Sequence, residues 1–244
     1  MSTNLIIPMA GAGDRFLKNG YVCPKPLIEL RGKPFFYWAV ESLYDRALMD
    51  SLGFVVLRDH VERFSIDRVI RSCYPEARIH VLDRVLPGAV LTCMAGAEAL
   101  GENDSVIFND CDHYFRAPAL GEFLSSGDAA DGALLTFESD RPVYSFLEYD
   151  GEGFVKRTVE KQAISTHAIC GAYYFKSKAL FLETARAYLE SCTYSEYFMS
   201  GVYNELIARG GRVKGIPTRL HISFGTPEEY LAAQTAPGLA GSGL

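Results

Sequence analysis

Three short stretches of this sequence combine residue types that could handle phosphate. The first is Met9–Phe16, M-A-G-A-G-D-R-F. Gly11 and Gly13 allow the backbone to approach an anion closely and turn its amides toward it. Arg15 adds forked donors that match phosphate oxygens. The second is Pro24-Lys25-Pro26-Leu27, where a proline on each side fixes the backbone and with it the direction of the lysine stem. A cation held that way suits a phosphoryl group in flight. The third is Asn109-Asp110-Cys111-Asp112-His113, whose acids at i and i+2 are hard oxygen donors able to hold magnesium while water and phosphate take the remaining positions. Each stretch alone also has a plainer reading: a tight turn with a surface arginine, an exposed turn lysine, an acidic strand end. Cys111 reads as strand-end packing rather than as a nucleophile.

Two other nucleotide-binding signatures fail here. A Walker loop requires Gly-Lys-Ser/Thr after a longer spacing, and no such triplet follows. The dinucleotide fingerprint requires a third glycine opening a helix, where this chain has Phe16.

The elements that must position these stretches follow from hydropathy. Asn4–Pro8 reads as a buried strand feeding the glycine-rich loop. Strands are then expected at 51–57, 78–82 and 105–109, alternating with helices at 35–47, 61–73 and 90–100. Such alternation predicts a parallel sheet covered on both faces. The second half is less regular, with strands expected at 132–137, 143–149, 154–159 and 168–175. Short turns such as Asp150-Gly151 bring in antiparallel pairing there. Helices at 178–190 and 196–209 follow, the second closed by Gly210-Gly211. No internal repeat or linker divides the chain, so one domain is expected over residues 1–234, with a flexible tail over 235–244 (TAPGLAGSGL).

Composition narrows the classes further. The 244 residues, 48% hydrophobic and 22% charged, are those of an ordinary globular protein. A net charge of −6 argues against a general nucleic-acid binder. The six cysteines form no C-x-x-C pair, the opening residues do not resemble a signal peptide, and no run of about 18 apolar residues occurs. The expectation is a cytoplasmic protein with reduced thiols, no membrane partner and no nucleic-acid partner. Oligomeric state is not legible.

Taken in order along the chain, M-A-G-A-G-D-R-F, P-K-P-L and an aspartate after the fourth strand resemble the sugar-phosphate nucleotidyltransferases. The resemblance continues through Val159-Glu160-Lys161 and Phe224-Gly225-Thr226-Pro227-Glu228, and so covers nearly the whole chain. It implies an α/β fold: a single-domain, Rossmann-like (GT-A-like) mixed sheet, mostly parallel and flanked by helices, with an antiparallel acceptor-binding part in the second half. It also implies a magnesium-dependent enzyme that moves a nucleoside monophosphate from an NTP onto a small phosphorylated acceptor and releases pyrophosphate.

Residue by residue, the resemblance implies that Met9, Ala10, Gly11, Ala12 and Gly13 cradle the nucleotide together with Gly88, Ala89 and Thr92 of P-G-A-V-L-T. Arg15 would hold the departing phosphates, and Lys25 would sit between nucleotide and acceptor. Asp112 would be the magnesium ligand, with Asp110 as a helper. Glu160, Lys161 and Gly171 would face the acceptor, Lys161 toward its phosphate. Many relatives place a second metal aspartate just before the terminal Gly-Thr, but this chain has Ser223 there. Glu160 is then the first candidate to complete the site. The motifs Gly88-Ala89-x-x-Thr92, Glu160–Ser165 and Gly201–Glu205 look most like cytidylyltransferase-like members serving capsule and surface polysaccharide. Two rival readings remain: a glycosyltransferase of related fold consuming a nucleotide sugar, and a non-catalytic nucleotide-sugar sensor. Phosphocholine-like acceptors also stay open, because tyrosines 144, 173, 174 and 194 could form an aromatic cage.

Overall fold

A computed structural model describes residues 2–239. The first half contains β1 (Thr3–Pro8), β2 (Glu29–Leu30), β3 (Lys33–Pro34), β4 (Ser51–Leu57), β5 (Arg78–Leu82), β6 (Ser105–Asn109) and β7 (His113–Arg116). The second contains β8 (Gly132–Glu138), β9 (Ser145–Tyr149), β10 (Val155–Glu160), β11 (His167–Phe175), β12 (Val213–Pro217) and β13 (Leu220–Ser223). Nine of these strands make one sheet in the order β10-β9-β11-β6-β1-β4-β5, with β8 pairing β11 and β12. The pairs β6-β1, β1-β4 and β4-β5 are parallel, as is β8-β12, whereas β11 runs antiparallel to β6, β8 and β9. The expected fold is therefore present, a mostly parallel first half joined to antiparallel strands.

Strand alternation builds the core. Leu5 and Ile7 of β1 pack on one face of the sheet and Ile6 on the other, as do Phe54 and Val56 against Val55 and Leu57 in β4. One face is covered by helix Phe35–Leu43 through Phe36 and Val40 and by helix Ile66–Cys73 through Ile66 and Ile70. The other is covered by helices Ala89–Ala97, Lys178–Ser191 and Met199–Ala208 through Val90, Phe181 and Tyr203.

Several boundaries differ from expectation for local reasons. The helix expected over 35–47 ends at Leu43, where Tyr44 turns extended. The helix expected over 61–73 is two helices, Arg58–Phe64 and Ile66–Cys73, broken by Ser65 in the left-handed region. Helix Pro118–Ser125 and the β7-β13 pair lie in segments that hydropathy left unassigned.

The predicted tail begins at Thr235. Within 235–239, Leu239 is buried, and the Arg31 guanidinium donates to the carbonyls of Gln234, Ala236 and Leu239. The rest of the predicted tail, 240–244, lies outside the described residues. All six cysteines are free, and no helix among the described residues is long and apolar enough to cross a membrane.

Candidate active site

The order β5-β4-β1-β6 reverses direction of growth between β1 and β6, so the loops after these two parallel strands leave the sheet side by side. Ligands of open α/β sheets bind at such a place. The loop after β1 carries the glycines, and the loop after β6 carries the acids.

Each loop is fixed from beneath. Phe16 is fully buried and meets Phe35 edge-on, their centroids 5.7 Å apart, which anchors the end of the glycine loop. Gly13 has φ +69°, a region glycine enters freely. A Cβ on Gly13 would lie 3.3 Å from Lys25 Cβ, so the glycine loop rests on the lysine. On the other side, buried Asn109 donates through Nδ2 to the Ala39 carbonyl at 2.9 Å. Its remaining oxygen, Oδ1, is 2.9 Å from His113 Nε2, so the imidazole is the donor there. Burial lowers the His113 pKa to about 4 and keeps the ring neutral. This i,i+4 bond closes the loop that presents Asp110 and Asp112.

The three stretches meet at one ion pair. Lys25 Nζ lies 3.0 Å from Asp112 Oδ2, with each side chain about a quarter exposed. Burial works against the ammonium, but the neighbouring Asp112 and Asp110 outweigh it and hold the Lys25 pKa above the ordinary lysine range. Burial likewise works against the Asp112 charge, and Lys25 and His113 outweigh it, so this carboxyl stays below its ordinary value. Asp110 goes the other way, raised by burial and then by the Asp112 charge.

Two cavities adjoin here. One, of about 640 Å³, is lined by Ala10 to Arg15, Lys25, Gly88, Ala89 and Thr92. The other, of about 330 Å³, is lined by Tyr144, Ser145, Glu160, Gly171, Ser200 and Glu229, among others. Arg15, Ala89, Asp110, Asp112, Phe198 and Gly225 line both and form the seam. Both volumes suit small-molecule ligands.

Of the residues assigned to substrate or metal from sequence, most lie on these walls, but Met9 and Lys161 do not. Met9 is 2% exposed, in the core with Leu5 and Ile7, and its backbone N–H donates to the Val55 carbonyl at 3.0 Å. Lys161 follows the end of β10 in a left-handed conformation (φ 54°) and lines neither cavity. Its ammonium lies 4.8 Å from the centroid of Phe198, a residue of the seam. Glu160 lines the second cavity, where its Oε2 accepts hydrogen bonds from Ser145 and Ser200.

Gly88 (φ +94°) and Gly171 (φ +82°) need their missing side chains. A Cβ on Gly88 would lie 2.6 Å from the Tyr197 amide nitrogen, and one on Gly171 would lie 2.6 Å from the His113 ring and 2.7 Å from Asp110 Oδ2. The Gly171 carbonyl also accepts the Asp110 N–H at 2.9 Å. Gly171→Ala is therefore expected to cost at least the roughly 1–2 kcal/mol of a left-handed alanine, which is about 2–8 °C in Tm for a domain of this size. It should also lower whatever activity depends on Asp110. An unchanged thermal melt would show that β11 absorbs the methyl group.

Several wall residues escaped sequence reading, Glu229 and Arg141 among them. Glu229 accepts from Ser223 Oγ at 2.7 Å and from the Tyr144 hydroxyl at 3.1 Å, and Arg141 Nη1 lies 3.5 Å from its Oε1. The run Thr226-Pro227-Glu228-Glu229 carries the signal for it: a threonine N-cap, proline at the first helical position and acids in the first turn of helix Pro227–Ala233. Arg141 lies in the irregular loop between β8 and β9, where no periodic pattern could single it out.

Among the described residues no set of three or more His, Cys, Asp or Glu side chains is arranged to hold a metal ion. The donor chemistry nevertheless fits a hard divalent cation that shares its shell with phosphate and water. The space that a Gly225 Cβ would fill is 2.4 Å from Asp112 Oδ2 and 3.7 Å from Glu229 Oε2. Glu229 is thus an acid across from Asp112, and it hydrogen-bonds to Ser223, while Glu160 lines the same cavity.

No family model matches the chain, and no curated protein matches it. Solved structures do. A nucleoside-diphosphate-sugar pyrophosphorylase of Vibrio cholerae RC9 is 26% identical, with a TM-score of 0.79 over 95% of this chain and 100% of its own. The inositol-1-phosphate CTP transferase of T. maritima is 17% identical, with a TM-score of 0.75 over 96% of this chain and 95% of its own. HddC of Yersinia pseudotuberculosis is 19% identical, with a TM-score of 0.69 over 96% and 98%.

Proposed function

With sugar-phosphate nucleotidyltransferases as its structural neighbours, we propose that this chain transfers a nucleoside monophosphate from an NTP to the phosphate of a sugar phosphate or similar small acceptor. The observation that carries the reading is the Lys25–Asp112 pair, set under the glycine loop at the seam of the two cavities.

In this reading the NTP occupies the larger cavity, with its triphosphate over Ala10–Gly13 and near Arg15, and its base toward Gly88. The acceptor occupies the smaller one. An oxygen of the acceptor phosphate attacks the α-phosphorus, the bond to the bridging oxygen of the β-phosphate breaks, and pyrophosphate leaves. A phosphate is already a competent nucleophile, so no general base is required, and the protein's task is alignment and charge neutralisation. Lys25 supplies a fixed ammonium where charge develops. Asp112 would hold magnesium, with Asp110, Glu160 and Glu229 the other carboxylates on the cavity wall, and the ion would polarise the nucleotide phosphates.

The acceptor wall favours hydroxyl-bearing molecules. Glu160 keeps Oε1 for a substrate hydroxyl while Ser145 and Ser200 hold Oε2. A quaternary ammonium finds less here. Tyr194 and Tyr174 do not line the cavity, Tyr173 and Tyr144 do, and the Tyr144 ring already carries the Arg141 guanidinium at 5.5 Å. Cytidylyl transfer is the first specificity to test, on the strength of the sequence motifs and of a neighbour named as a CTP transferase.

A pyrophosphate-release screen of four NTPs against glucose 1-phosphate, inositol 1-phosphate and other phosphorylated acceptors tests the proposal. Release should require one NTP, one acceptor and magnesium together. Release of nucleoside diphosphate from a nucleotide sugar, with no pyrophosphate from any pair, would replace this reading by the glycosyltransferase one.

A further inference from the structure

The charge on the walls of the smaller cavity is mismatched to a phosphorylated ligand. Asp112, Glu160 and Glu229 all line it, and its only guanidinium or ammonium groups among the described residues are Arg15 and Arg141. Arg15 also lines the larger cavity, so Arg141 is the one that belongs to the smaller cavity alone. Lys161, the cation that the family resemblance assigns to the acceptor phosphate, lies outside the lining, over the Phe198 ring.

Arg141 is held as a group ready to change partners. Its backbone is fixed by a turn in which the Val143 N–H donates to its carbonyl at 2.8 Å, and its own N–H donates to Ser139 Oγ at 3.2 Å. The side chain is 58% exposed and its guanidinium loosely engaged, with Nη1 3.3 Å from the Tyr144 hydroxyl and 3.5 Å from Glu229 Oε1. Charge-assisted hydrogen bonds of full strength are shorter than this, and an ion pair so exposed is readily given up. Nε and Nη2 have no hydrogen-bond partner in the protein among the described residues, which leaves one edge of the guanidinium open for two oxygens of one anion.

We propose that Arg141 binds the phosphate group of the acceptor, resting on Glu229 and Tyr144 when the cavity is empty and exchanging Glu229 for the phosphate when it fills. This rests on the reading of the smaller cavity as the acceptor site. It gives that site an anion-binding residue from the β8-β9 loop, so the loop helps to choose the acceptor.

The test is calorimetric titration of the full chain, saturated with a non-hydrolysable NTP analogue and magnesium, with glucose 1-phosphate and with inorganic phosphate as probes. Arg141→Ala should weaken glucose 1-phosphate by about 10–100-fold, the loss of a charged hydrogen-bonding partner, and Arg141→Lys by less. The affinity for the NTP analogue and the thermal melt should stay as in the parent chain. Equal binding by parent and Arg141→Ala overturns the proposal, as does a parent chain that binds neither probe. So does a loss that follows Lys161→Ala and spares Arg141→Ala. Because the readout is binding, a chain that shows the Arg141 effect yet releases no pyrophosphate would sink the catalytic reading and leave the phosphate site standing.

Discussion

Lys25→Ala is expected to lower kcat by about a hundredfold or more while changing NTP affinity far less. A group that stabilises charge only as it develops costs rate and not ground-state binding when removed, and fixed electrostatic donors are worth about that much in related chemistry. The structure adds a reason for the position to be unforgiving. Pro24 and Pro26 flank the lysine, Gly13 packs on its Cβ, and its ammonium is set on Asp112 at the seam. A side chain of different length cannot reach the same point from that frame. The alanine also leaves Asp112 without its cation, so steady-state kinetics should be paired with a thermal melt and with nucleotide binding. Unchanged turnover in a folded variant would remove Lys25 from the reaction.

Asp112→Asn is expected to abolish magnesium-dependent turnover, and Asp110→Asn to leave activity that can be measured. The two acids are two residues apart but differently placed. Asp112 Oδ2 faces Lys25 and the open space at Gly225, and its environment keeps it ionised. Asp110 lies against Gly171, and burial together with the Asp112 charge favours its protonated form. An amide therefore replaces it with less change in charge. The check is pyrophosphate release against magnesium concentration for both variants, beside manganese binding followed by electron paramagnetic resonance. Greater sensitivity at Asp110 would reverse the assignment of the principal ligand. Ser223→Asp then probes the neighbouring position, since a carboxylate there would compete with Glu229 for the space between Gly225 and Asp112.

The sequence showed the Lys25–Asp112 end of the candidate site more clearly than its walls, for a physical reason. The glycine loop, Lys25 and the 110–112 acids are local motifs, each directly after a strand or in the loop that follows it, so residue type and spacing are enough to find them. Met9 is legible in the same way as a core residue. Leu5, Ile7 and Met9 share one face of an extended chain, and all three are in the core. Glu160 and Lys161 parted as neighbours at a strand end do, one into the cavity and one out of it. Glu229 and Arg141 are different. They meet across 88 residues of chain, through the packing of a loop on a helix start, and nothing in either neighbourhood announces the partner. The break at Ser65 was hidden for the opposite reason, because the apolar spacing of Ile66 and Ile70 continues a helical pattern that a single left-handed residue interrupts.

The seam between the two cavities bears on how such a molecule can diversify. The larger cavity is walled mainly by residues from the first half of the chain, the smaller mainly by β9, β10, β11 and the segments around Arg141, Ser200 and Glu229, and they share Arg15, Ala89, the two aspartates, Phe198 and Gly225. On the proposed reading, substitutions in the β8-β9 loop or the β9-β10 hairpin would therefore change the acceptor while the nucleotide's cavity is left untouched. A change at the seam alters both partners at once. Lineages carrying this architecture would be expected to vary at the periphery of the smaller cavity and to stay fixed along the boundary. A chimera that imports residues 139–160 from a relative would thus inherit that relative's acceptor preference together with this chain's choice of nucleotide.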